Sequence, residues 1–86
     1  MDDQIRPAVI EAFETVWRDF GQGDPPAWDD DLVLLESGLD SLAFAVVVTE
    51  LDDRLGFDPF SESAEPYYPQ TVGDLVAYYE RFAASR

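Results

Sequence analysis

The sequence predicts an all-α fold: a small four-helix bundle of three main helices and one short helix, with a long loop after the first. Two observations carry this. Three segments place apolar residues at three- and four-residue steps, the period of a helix with one buried face, and cap-forming residues bound each of them. One run, Ala45-Val46-Val47-Val48-Thr49, has the β-branched composition of a strand, but no partner strand is visible and the flanking caps favour helix.

The first helix is expected from about Asp3 to Phe20, with Val9, Phe13, Val16, Trp17 and Phe20 on its buried face. Pro7 falls in the first turn, where its missing N–H is harmless, and Gly21 and Gly23 end the helix. The long loop runs from about Gln22 to Leu39. Pro25-Pro26 bars helix, and Leu32, Leu34, Leu35 and Leu39 are expected to pin the loop to the core. A loop of this length in a compact domain usually has a function. The second helix is expected from near Ser41 to near Leu55, with Asp40 as N-cap and Gly56 as the C′ residue. Its buried face reads as Phe44, Val47, Val48, Leu51 and Leu55. Pro59, Pro66 and Pro69 make the next segment irregular, with room for one short helical turn. The last helix is expected over about Val72–Ala83. Thr71 and Asp74 form a capping box in which Asp replaces Glu, and Val72, Leu75, Val76, Tyr79 and Phe82 form the buried face.

Residues 1–86 are enough for one domain. A hydrophobic content of 47% supports a packed core rather than disorder. The chain has no Cys and no His. It therefore lacks disulfides, thiolate metal ligands, the commonest metal ligand and the usual neutral-pH general base, which argues against an enzyme. A net charge of −14, from 19 acidic and 5 basic residues, would repel nucleic acid and anionic membranes and favour a protein partner with a basic patch. With no membrane-spanning run and no export signal, the expected setting is the cytoplasm and the expected state a monomer.

The informative stretch is Gly38-Leu39-Asp40-Ser41-Leu42. It puts a serine just inside a helix start at the end of a loop, where a phosphate on its oxygen would meet free backbone N–H groups and the favourable end of the helix dipole. Asp and Ser are also ordinary residues at helix starts, so this stretch alone is weak evidence. The wider pattern is stronger. The motif is followed by an apolar helix ending Leu51-Asp52-Asp53-Arg54-Leu55-Gly56-Phe57. It is preceded by Asp31-Leu32-Val33-Leu34-Leu35-Glu36-Ser37 and followed later by Thr71-Val72-Gly73-Asp74-Leu75. In order and spacing, over nearly the whole chain, this resembles the acyl and peptidyl carrier proteins.

The resemblance implies a four-helix fold and a serine, here Ser41, that receives covalent 4′-phosphopantetheine from coenzyme A. It implies a cargo held as a thioester on the arm's thiol, and no catalysis by the carrier itself. Asp40 matches the acidic residue that assists a magnesium-dependent transferase during loading. The implied partners are a phosphopantetheinyl transferase, an acyl- or aminoacyl-loading ligase and downstream transferase or synthase enzymes.

Helical spacing places Leu42, Val46, Thr49 and Asp53 opposite the buried face of the second helix, so these residues, with Glu50, are expected to form a partner dock. Carriers of the fatty-acid type hold acidic residues in the first half of this helix. Here Ala43, Ala45 and Val46 stand there, which points instead to biosynthesis in a dedicated, secondary-metabolite-type pathway. Tyr67 and Tyr68 are expected mainly to cover the core, with lining the cargo path or touching a partner as the alternative. The rival function is an acidic helical protein-interaction module without a prosthetic group. A calcium loop is excluded, because Asp29-Asp30-Asp31 to Asp40 lacks the alternating ligands and central Gly of an EF-hand.

Overall fold

A computed structural model describes residues 4–21, 23–63 and 67–84. Among these lie four helices: α1 (Ile5–Phe20), α2 (Ser41–Leu55), α3 (Pro59–Glu62) and α4 (Val72–Ala84), with a 3₁₀ turn at Leu34–Glu36. The expected start of the first helix at Asp3 lies outside the described residues. The architecture is the expected small helical bundle.

The most extensive interface is between α1 and α2. From α1, Ile5, Val9, Ala12, Phe13 and Val16 are buried. Phe20, expected in the core, is 42% exposed. Residues 18–20 are all exposed, so the final turn stands outside the packed part of the bundle.

Helix α2 has its expected ends. The Asp40 carboxylate accepts the Ala43 N–H at 2.9 Å, and Gly56 ends the helix in the left-handed region at φ 82°. Its rotation differs from expectation. The buried line is Ala43, Val47 and Leu51, while Phe44, Val46 and Leu55 are half-buried against the core. Val48, expected in the core, is half-buried and not part of that packing. Val46, expected in solvent, packs against the core. At 3.6 residues per turn this is a rotation of roughly 60°. The small Ala43 is buried on this line while the bulky Phe44 beside it is only half-buried, so a reading weighted towards Phe44 misplaces the face.

The long loop is pinned less by its leucines than expected. Leu34 and Leu39 are buried and Leu32 packs against the core, but Leu35 is 93% exposed. A 3₁₀ turn has three residues per turn, so with Leu34 inward, Leu35 faces out. The stronger anchor is Trp28, whose ring stacks on Phe13 at 4.9 Å and meets the edge of Trp17 at 5.9 Å. The loop is also tied to the start of α4 by main chain. Val33 forms an antiparallel bridge with Thr71, the Leu34 N–H donates to Gln70 O (2.8 Å) and the Val72 N–H to Leu32 O (3.0 Å).

Helix α4 starts on the expected capping box: the Asp74 N–H donates to Thr71 Oγ1 (3.0 Å) and the Thr71 N–H to Asp74 Oδ2 (3.3 Å). Val72, Leu75, Val76 and Tyr79 are buried as expected, Phe82 is half-buried, and Tyr78 is buried in addition. The Tyr78 hydroxyl donates to Pro59 O at 3.3 Å, joining α4 to α3.

Candidate functional site

The site is built from the end of the long loop upward. Ser37 is buried. Its hydroxyl donates to Leu34 O (2.7 Å) and accepts the Leu39 N–H (3.3 Å), which holds the chain between two buried leucines. Gly38 then turns the chain at φ 100°, a conformation that disfavours any side chain, with the Trp17 ring lying over it. Trp17 is itself held, because its indole N–H donates to Gly23 O at 3.2 Å.

The chain enters α2 through Asp40, whose carbonyl accepts the Phe44 N–H at 2.9 Å. Ser41 is therefore the first helical residue. It is exposed, and among the described residues its hydroxyl makes no hydrogen bond. The N–H groups of Ser41 and Leu42 have no partner within the helix and sit at its positive end. An anion on Ser41 Oγ would meet both. The hydroxyl is exposed and the first turn open, so Ser41 Oγ is accessible from solvent.

The residues expected to form the dock do not share one exposed face. Leu42 (65% exposed), Thr49 and Asp53 lie on the solvent side, with Thr49 Oγ1 donating to Ala45 O at 3.1 Å. Val46 and Glu50 lie on the flank towards α1. Glu50 is half-buried, 3.7 Å from Arg54, which in turn reaches Glu11 at 3.1 Å.

Beside Ser41 opens a cleft of about 720 Å³. Its lining comes from the end of the loop, from Phe44 of α2, Phe60 of α3 and the segment Tyr67–Gln70, with Phe13 of α1 also contributing. No family model, curated protein or solved structure matches the chain. Tyr67 and Tyr68, expected mainly to cover the core, form the rim of this cleft. Tyr67, 37% exposed, also covers the core as expected by packing on buried Tyr78 at 4.4 Å, whereas Tyr68 is 81% exposed. Phe60 was not singled out in the sequence. Its position follows from Asp58, which caps the four-residue helix α3 by accepting the Phe60 N–H at 2.9 Å, with Pro59 in the first turn.

Among the described residues no group of three or more His, Cys, Asp or Glu is placed to hold a metal ion, and no helix is long and apolar enough to cross a membrane.

Proposed function

We propose that the protein is a carrier that receives 4′-phosphopantetheine on Ser41 and presents a thioester-bound cargo to partner enzymes. The observation that carries this reading is the exposed, unbonded Ser41 hydroxyl at the first position of a capped helix, at the end of an anchored loop and beside an apolar cleft.

In loading, Ser41 Oγ attacks the pyrophosphate of coenzyme A on the phosphorus nearer the pantetheine. A phosphodiester forms, adenosine 3′,5′-bisphosphate leaves, and the hydroxyl proton passes to the transferase. The chain's own part is limited. Asp40 fixes the helix start while keeping a carboxylate next to the serine, where it can face the transferase's magnesium. Leu42, exposed one residue on, offers the nearest apolar contact to the enzyme. The arm supplies the thiol that the sequence lacks. The acidity of the chain suits partners with basic docking faces.

The test is intact mass after incubation with coenzyme A, magnesium and a broad-range phosphopantetheinyl transferase. One phosphopantetheinyl group is expected on the wild type and none on Ser41→Ala. No gain on the wild type, or the same gain on the variant, overturns the reading and leaves the acidic interaction module in its place.

A further inference from the structure

The walls of the cleft beside Ser41 are unusually rich in rings. Phe13, Phe44, Phe60, Tyr67 and Tyr68 come to it from α1, α2, α3 and the segment before α4. Phe44 and Phe60 stand 6.3 Å apart and nearly perpendicular, at 82°. The two rings touch edge to face and together make a corner of the wall, against which a planar group meets one edge and one face. The positions of the rings are set from behind: Phe60 packs on Tyr78 at 4.9 Å, Tyr67 on Tyr78 at 4.4 Å, and Phe13 on Trp28 at 4.9 Å.

The polar groups of the lining are spent or peripheral. The Ser37 hydroxyl is satisfied by Leu34 and Leu39. Asp40, Ser41 and Gln70 are exposed. The hydroxyl-bearing Tyr67 and Tyr68 are also at the exposed rim, so an ammonium group drawn in among the rings would exchange its water for ring faces alone, which return less than the desolvation costs. The volume of about 720 Å³ lies within the range of about 300–1,000 Å³ typical of small-molecule sites.

We propose that this cleft selects an aryl-acyl cargo, an apolar acid ending in an aromatic ring, over a linear acyl chain or an aminoacyl group. The proposal rests on the carrier reading and names the cargo class for it. A linear chain gains only burial of its area from such walls. A ring gains that and the edge-to-face and offset pairing geometry as well.

The experiment loads the protein from three coenzyme A thioesters with the same transferase: phenylhexanoyl, dodecanoyl (equal in carbon number) and phenylalanyl. Intact mass is read first. The rate of thioester cleavage by hydroxylamine is then compared for each loaded form and for the matching free pantetheine thioester. Protection of the phenylhexanoyl form is expected to exceed that of the dodecanoyl form by about three- to tenfold, the advantage of aromatic pairing over area alone. The phenylalanyl form is expected to show no protection. Phe60→Leu, which keeps an apolar wall, should bring the aryl form down to the linear one. Tyr68→Leu, at an exposed position that the fold does not need, should narrow the gap.

Equal protection of aryl and linear cargo, protection of the phenylalanyl form, or a gap that survives both variants overturns the proposal. Failure of the wild type to gain mass overturns the carrier reading, and the cargo assignment falls with it. The mass spectrum separates the two failures.

Discussion

Gly38 is the residue on which the geometry of the serine-bearing turn depends, and Gly38→Ala measures that dependence. Two costs add. The backbone at φ 100° lies where a Cβ is disfavoured by about 1–2 kcal/mol. The new Cβ would also stand 3.1 and 3.3 Å from two atoms of the Trp17 ring. That ring cannot simply withdraw, because its N–H is bonded to Gly23 O and it packs edge-to-face with Trp28. Crowding of this kind costs about 1–3 kcal/mol. A combined loss of at least about 2 kcal/mol lowers Tm by roughly 8–16 °C in a domain of this size.

Gly56→Ala is the control. Its φ of 82° carries the same backbone cost, but nothing lies within 4 Å of a Cβ there. Thermal melting of both variants, alone and with Trp17→Leu, gives a double-mutant cycle. Gly38→Ala should cost more than Gly56→Ala, and Trp17→Leu should remove the excess. Under the proposed function, phosphopantetheinylation of Gly38→Ala should also slow at a temperature where it remains folded. Equal costs at the two glycines, with no coupling to Trp17, would refute the claim that the tryptophan shapes the turn.

Two further outcomes follow from the packing. Val46→Glu should lower stability more than Val48→Glu, by about 1–3 kcal/mol, because Val46 packs on the core and Val48 does not. Denaturant melts that rank them the other way would restore the sequence-based rotation of α2. Tyr79 is fully buried, and its hydroxyl has no hydrogen-bond partner among the described residues. Burial, with smaller contributions from the charges of Asp58 and Asp52, raises its pKa well above the usual tyrosine value. The raised folded-state pKa gives stability that is complete below the unfolded value of about 10 and lost as pH climbs above it. Tyr79→Phe should therefore match or exceed the wild type at neutral pH and flatten the alkaline fall in Tm between about pH 10 and 12. An unchanged alkaline limb would place the responsible group elsewhere.

The sequence made legible what is decided locally. Asp40 and Gly56 bound α2, and Thr71 and Asp74 start α4, because each acts on backbone within a few residues of itself. The fold class and the exposed position of Ser41 followed from these ends. What depends on distant partners was not legible. The rotation of α2 buries the small Ala43 in place of Val48, a choice with no periodic signature. Trp28 docks on Phe13 across the loop. The outward turn of Leu35 follows from a 3₁₀ geometry that apolar spacing does not reveal. The cleft was the least accessible, since its rings come from four separate segments, and nothing local marks Tyr67 and Tyr68 as bordering it.

The bridge between Val33 and Thr71 has a consequence for how the molecule assembles. It fastens two stretches separated by the whole of α2 and α3, so the chain between them forms a closed circuit whose entropy must be lost before its few hydrogen bonds return anything. Contacts of that span slow folding for the same reason. Helix α2, with Ser41 on its capped first turn, needs only neighbours in sequence and the α1 face. Amide exchange at Leu34 and Val72 should therefore report the opening of this closure separately from the protection of α2, with exchange at the same rate as the core of α2 counting against it.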